Sequence, residues 1–259
     1  MQNVKPEDID LKTLDEVVTN QLDNSGLCQG SALPVFSSEK RDGALWLKTT
    51  GGGYGHLALT HEGHDMAEWM TSMGITYYVL KYRLPYQHHE VPRSDADQAM
   101  RIVRSHAGEW GIDPHKVGIM GGSAGGHLAA SLATLYSDKA VRPDFQILLY
   151  PVISMDERIT NKGTHDNLIG EHPSKKLLRR YSLQFQVNKK TPPAFIALSA
   201  DDKGVVPENS ELYKAALQNK DVPVEMHVYQ TGGHGWGYKD SFKYKKQWTN
   251  ELEHWLSAF

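Results

Sequence analysis

From residue 44 onward the chain alternates short β-rich runs with segments of helical period, and this rhythm constrains the fold more than any other feature. Strands are predicted over 44–49, 75–82, 116–121, 145–150, 194–200 and 224–229. Helices are predicted over 61–73, where Met66, Trp69, Met70 and Met73 share a face, and over 94–106, 124–136, 207–219 and 242–257. Ser94 would cap the second helix, with Asp95 and Asp97 in its first turn. Strands separated by helices build βαβ units, hence a mainly parallel sheet with helices on both faces. One α/β domain holds residues 1–259 in this reading. Residues 1–40 read as a polar N-terminal arm with one short edge strand. Residues 151–193 lack a strand and carry Asp156, Glu157, Arg158, Asn161, Lys162, His165, Asp166 and Asn167. That is too long for a plain connection. It reads as a small lid or cap inserted over the carboxyl edge of the sheet, where open α/β sheets bind ligands.

Composition removes several classes of function. Lys and Arg number 28 against 31 Asp and Glu, a net charge of −3, so bulk positive charge for a nucleic-acid partner is missing. The apolar runs fall far short of the roughly 20 residues of a membrane-spanning helix. The N-terminus, MQNVKPEDIDLKTLDEVV, has no apolar signal core. This predicts a cytoplasmic protein, or a secreted or periplasmic one if a leader has been trimmed. A lone cysteine, Cys28, excludes an intrachain disulfide and a Cys-rich zinc site.

The chemistry concentrates at predicted strand ends. Gly121-Gly122-Ser123-Ala124-Gly125 is a G-x-S-x-G between the strand KVGIM and the helix GHLAASLATLY. A sharp strand-to-helix turn lifts such a serine above the sheet, and only small neighbours fit beside it. A serine nucleophile needs a base, and the base an orienting acid. His234 follows the strand EMHVY within TGGHGW, and Asp201 and Asp202 follow FIALSA. Consecutive residues leave a strand toward opposite sides, so only one of the two acids faces His234. Gly51-Gly52-Gly53-Tyr54-Gly55 follows the first strong strand. Its backbone N–H groups, with that of Ala124, suit an oxyanion. It lacks the Lys-Ser/Thr of a phosphate loop.

With these motifs in place, the chain resembles the bacterial α/β-hydrolase esterases related to acetyl xylan esterases, with hormone-sensitive-lipase-like and feruloyl-esterase-like relatives. The resemblance spans about residues 33–259 and rests on GGGYGHLALTHEG, ITYYVLKYRLP, RIVRSHAGEWGIDPHKVGIMGGSAGGHLAA, LLYPVISM, SADDKGVVPENS and GGHGWG. Such proteins are sometimes labelled xylanases because they occur beside xylan-degrading enzymes. The resemblance implies an α/β-hydrolase fold, hydrolysis of short acyl esters, often acetyl groups on plant-wall sugars, and no cofactor. It matches Ser123 to the nucleophile, Asp202 to the acid, His234 to the base, and Gly52, Gly53 and Ala124 to the oxyanion hole. Two departures stand out. Thr50 occupies the position that is usually His or Pro, and the preceding strand ends Lys48-Thr49-Thr50 where relatives are apolar. Tyr54 and Trp236, flanking the glycine loop and the histidine, are expected to contact a sugar ester, either a small molecule or an oligosaccharide. The polar 151–193 segment predicts a preference for acetyl over chains beyond about four carbons.

Other readings are weaker. His61-Glu62-Gly63-His64 and His88-His89 suggest a metal hydrolase, but the i, i+3 spacing departs from H-E-x-x-H and no third ligand is indicated. A glycosidase needs two carboxylates across a sugar ring, and no such pair stands out. A non-catalytic or weakly active hydrolase-fold binding protein remains the alternative, since fold does not fix function. An incomplete sheet edge favours a homodimer.

Overall fold

The computed structural model describes residues 35–36 and 43–258. Seven strands form one sheet in the order β1-β3-β2-β4-β5-β6-β7. They are β1 (Val35–Phe36), β2 (Leu45–Thr49), β3 (Thr76–Leu80), β4 (Val117–Gly122), β5 (Gln146–Leu149), β6 (Ala194–Ser199) and β7 (Val224–Tyr229). Strands β2 to β7 are parallel, and β1 pairs antiparallel with β3 at one edge. The rest of the expected 1–40 arm lies outside the described residues. Strands β2 to β6 are buried along their whole length, the pattern of a parallel sheet covered on both faces.

The helices are α1 (Ala67–Ser72), α2 (Val91–His106), α3 (Ser123–Leu135), α4 (Lys162–Ile169), α5 (Lys175–Tyr181), α6 (Glu208–Gln218) and α7 (Lys245–Leu256). Side chains alternate across β2. Thr49 faces α3, where its hydroxyl meets the Gly125 carbonyl, so Trp46 and Lys48 face the other layer. There Trp46 and Trp255 both pack on Phe145, and Trp69 of α1 packs edge-on against Trp248 of α7. Among the described residues no helix is long and apolar enough to cross a membrane.

Two expectations need correction. The 61–73 helix is reduced to a 3-10 turn at His64–Met66 and the six-residue α1. Residues 60–63 form a turn instead, because the Glu62 carboxylate is drawn inward to the backbone N–H of Gly51. Helix α2 begins at Val91, before Ser94. The Ser94 hydroxyl bonds back to the Val91 carbonyl and caps nothing. The 151–193 segment is strand-free but carries α4, α5 and a 3-10 turn at Leu183–Phe185. Their starts are set by Asn161 and Ser174, whose side chains accept the N–H of Thr164 and Leu177.

Candidate active site

Strand β4 ends at Gly122 and α3 begins at the next residue, with no connecting loop. Ser123 absorbs the reversal with φ of 53°, the left-handed region that side chains seldom occupy. Such strain persists only where the surroundings over-determine it. Here they do. A Cβ on Gly121 would lie 2.2 Å from the Gly125 carbonyl oxygen, and a Cβ on Gly125 2.4 Å from that of Thr49. Both glycines of the G-x-S-x-G are therefore required by backbone contact. Thr49 Oγ1 donates to the Gly125 carbonyl at 2.8 Å, bolting the first turn of α3 to β2.

The loops after β6 and β7 meet this serine. Asp202 is 3% exposed, and its Oδ1 accepts the N–H groups of Gly204 and Val205 at 2.8 and 2.9 Å. Its Oδ2 lies 2.7 Å from His234 Nδ1. A carboxylate only accepts, so Nδ1 carries the proton and Nε2 is left as an acceptor. Nε2 lies 2.8 Å from Ser123 Oγ. Asp201 leaves the strand on the other side, is exposed, and accepts the N–H of Gly233 at 2.8 Å. The structure thus brings Ser123, His234 and Asp202 into one line and sets Asp201 to brace the histidine loop.

The glycine loop runs beside the serine. A Cβ on Gly51 would lie 2.9 Å from Ser123 Cβ. Gly52, with φ of +119°, turns its carbonyl to accept from Gly55 and His56. Among the described residues the N–H groups of Gly52 and Gly53 have no acceptor. Helix α4 sits over this loop. Thr164 N and Asn161 Oδ1 lie 3.8 and 4.0 Å from where a Gly53 Cβ would be, and Asn167 Nδ2 donates to the Gly53 carbonyl at 2.9 Å. Asn161 Nδ2 donates to the Gly204 carbonyl, linking the cover to the loop that carries Asp202.

Residues 47–237 match the family described as alpha/beta hydrolase fold. The chain belongs to that family. It is 41% identical over 245 residues to an acetylxylan esterase of Xylanibacter ruminicola, covering 93% of this chain and 50% of that protein. It is 36% identical over 210 residues to endo-1,4-beta-xylanase B of Butyrivibrio fibrisolvens, covering 76% of this chain and 32% of that protein. The chain therefore spans half or less of the length of these curated relatives. Among solved structures it is similar to an acetyl ester-xyloside bifunctional hydrolase from Caldicellulosiruptor lactoaceticus. That similarity has a TM-score of 0.83 and 35% identity over 90% of both chains. A sugar hydrolase from Lactococcus lactis superposes with a TM-score of 0.78 and 26% identity, over 90% of this chain and 95% of that one.

In this α/β hydrolase the two aromatic residues expected to contact substrate are placed elsewhere. Tyr54 is 2% exposed. Its ring packs on Tyr82 and its hydroxyl meets His127 Nδ1 at 3.0 Å, so it props the glycine loop from below. Trp236 is 3% exposed, stacked on Phe242 and packed edge-on against Tyr150, and its Nε1 donates to Ser199 Oγ. Large rings beside glycines read as pocket walls in sequence, but burial of their apolar area decides otherwise. Glu62, which the sequence presents only within a metal-like His-Glu-Gly-His motif, lies against the glycine loop and the residue before Ser123. Its carboxylate takes the Gly51 N–H and the Tyr150 hydroxyl. The available signal was Lys48, an opposite charge inside a strand otherwise fit for burial.

Proposed function

We propose that this α/β hydrolase is a serine carboxylesterase for short-chain acyl esters that removes acetyl groups from sugars of the xylan type. The observation that carries this reading is the unbroken line Asp202–His234–Ser123 beside the unpaired N–H groups of Gly52 and Gly53. Ser123 Oγ attacks the ester carbonyl while His234 Nε2 takes its proton, and Asp202 holds the imidazole tautomer and stabilises the imidazolium. The developing oxyanion is received by the N–H groups of Gly52, Gly53 and Ala124, at the positively polarised start of α3. His234 then protonates the departing sugar oxygen, which leaves as the hydroxyl, and water repeats the sequence on the acyl-enzyme to release acetate. Every step uses groups of the chain and water.

Relatives named for acetylxylan and for acetyl ester and xyloside hydrolysis support the sugar-ester substrate. The polar cover supports the short acyl group. The atoms above Gly53 belong to Asn161 and Thr164, and an acyl pocket gains about 0.8 kcal/mol per CH₂ only where apolar walls receive it. In this reading residues 151–193 act as the cap of a single domain. An association of two copies would use an open sheet edge, for which β7, with Val228 47% exposed, is the longer candidate. Light scattering tests that association.

The test is a kcat/KM series on p-nitrophenyl acetate, butyrate and octanoate, together with acetate release from acetylated xylo-oligosaccharides. Acetate is expected to be the best acyl group and the oligosaccharides to be deacetylated without release of reducing sugar. Octanoate turned over as fast as acetate would refute the acyl reading. Reducing sugar without acetate would move the enzyme to the glycosidases.

A further inference from the structure

We propose that Glu62 is a positioning residue of the catalytic centre, its buried carboxylate fixing the oxyanion loop and the histidine side of the site to one point beneath Ser123. The inference rests on Ser123 being the nucleophile and on Gly52 and Gly53 serving the oxyanion.

Glu62 is 2% exposed and never reaches the solvent side of the site. Its Oε2 accepts the Gly51 N–H at 2.6 Å, a short charge-assisted bond on the residue that opens the oxyanion loop. Its Oε1 accepts the Tyr150 hydroxyl at 2.9 Å. That hydroxyl in turn accepts the Gly237 N–H at 2.8 Å, and the Tyr150 ring packs edge-on at 4.9 Å from the ring of His234. One carboxylate therefore joins the loop on one side of Ser123 to the loop on the other. It fits there because both neighbours lack side chains. A Cβ would come within 2.7 Å of Oε2 from Gly51 and within 2.8 Å from Gly122, the residue before the nucleophile.

The polar end of β2 has its reason here. Lys48 is fully buried, and its Nζ has no hydrogen-bond partner among the described residues. Burial lowers its pKa to about 8, and the nearby Glu62 charge acts in the opposite direction. Lys48 is thus a basic side chain buried near a carboxylate that is itself held away from water. Thr49 holds the elbow, and the Thr50 carbonyl accepts the Tyr82 hydroxyl at 2.6 Å. Thr49 thereby holds the elbow and the Thr50 backbone the start of the oxyanion loop, with Lys48 buried beneath them.

Glu62→Gln is the decisive variant. The amide keeps the volume but offers one acceptor oxygen where the carboxylate offers two, so the Gly51 N–H and the Tyr150 O–H cannot each keep an oxygen of their own. Ester turnover is measured on the full chain, with kcat expressed per active site titrated by a phosphonate ester. A fall in kcat of tenfold or more with KM changed less than threefold is expected, since displacement of an oxyanion donor by about 1 Å costs on the order of 10²-fold. Tyr150→Phe should lower kcat in the same way. Adding it to Glu62→Gln should cost less than its single effect, because both act through one carboxylate. A fall of less than tenfold per titrated site, or a loss confined to the number of titratable sites, would overturn the proposal. If Glu62→Gln fails to fold, Tyr150→Phe decides, and kcat within twofold of the parent overturns it. Ser123→Ala separates the two layers. An active Ser123→Ala sinks the underlying mechanism, whereas an inactive one beside a parent-like Glu62→Gln sinks this inference alone.

Discussion

The elbow and the cover are built in opposite ways. Around Ser123 the chain is held by backbone pressed on backbone. Residues 123–134 of α3 are buried in succession, and glycines let β2, β4 and α3 approach within distances that no Cβ survives. Residues 151–193 add amide ties to apolar packing, with Val152, Ile153, Leu168, Ile169, Tyr181 and Leu183 in the core. Asn161 reaches the Gly204 carbonyl, Asn167 the Gly53 carbonyl, and Asn209 Oδ1 accepts the N–H groups of Ile153 and Ser154. Backbone pressed on backbone fixes a reacting atom with little freedom, and amide hydrogen bonds fasten the 151–193 segment to the loops around it. The difference teaches that the elbow leaves no room for an added atom, whereas the segment over the glycine loop is fastened there by replaceable side chains.

The largest effect should come from the elbow's hydrogen-bonded line. Asp202→Asn is expected to lower kcat by about 10⁴-fold through loss of the correct histidine tautomer, while Asp201→Asn, whose amide oxygen can still accept the Gly233 N–H, costs less than tenfold. Steady-state kinetics on p-nitrophenyl acetate reads both. A reversed order would show that the acid is Asp201.

Packing comes next. Gly125→Ala would put a methyl group against the Thr49 and Thr50 backbone, which cannot swing aside, and should destabilise by about 3 kcal/mol in urea unfolding. A loss under 1 kcal/mol would show the contact between β2 and α3 to be softer than described. His127, inside the same helix, offers a comparable effect through pH. Burial lowers its pKa from 6.5 to about 4, against the Tyr181 carbonyl bond that raises it. The unfolded chain takes up a proton below about 6.5 that the fold refuses. Stability is therefore lost as pH falls from about 6.5 to 4, by roughly 3 kcal/mol when complete. Urea midpoints compared with those of His127→Gln over that window should show the parent's steeper decline, and parallel curves would contradict it.

The cover should respond least. Asn161→Ala removes the cap of α4 and the bond to Gly204, and is expected to cost about 1 kcal/mol, a shift of about 2–4 °C in Tm. A cost matching that of Gly125→Ala would erase the contrast between the two regions.

The same contrast explains what could be read in the sequence. The six parallel strands follow from apolar runs such as QILL and AFIALS, which are buried on both faces. Ser123, His234 and the two candidate acids could be placed because each follows a strand end, and the choice between the acids needed the geometry. Helices α4 and α5 are not legible in the sequence, because each is short, few of its residues are both buried and apolar, and its start is set by the Asn161 or Ser174 cap. Tyr54 and Trp236 were misplaced for a related reason. A ring next to glycines has the same local sequence whether it lines a pocket or fills the core, and the partners that decide, His127 and Phe242, are a tertiary matter. Glu62 escaped notice because its value lies in contacts to residues 11 and 88 positions away.

The central claim is that Ser123 Oγ, activated by His234, is the nucleophile that carries the acyl group of an acyl-enzyme. Incubation with a p-nitrophenyl phosphonate followed by intact-mass and peptide mass spectrometry tests it most directly. One phosphonyl group per chain is expected, on the peptide containing Ser123, with release of one equivalent of nitrophenol and no labelling of Ser123→Ala. Stoichiometric labelling at another residue, or of a folded Ser123→Ala variant, would contradict the account.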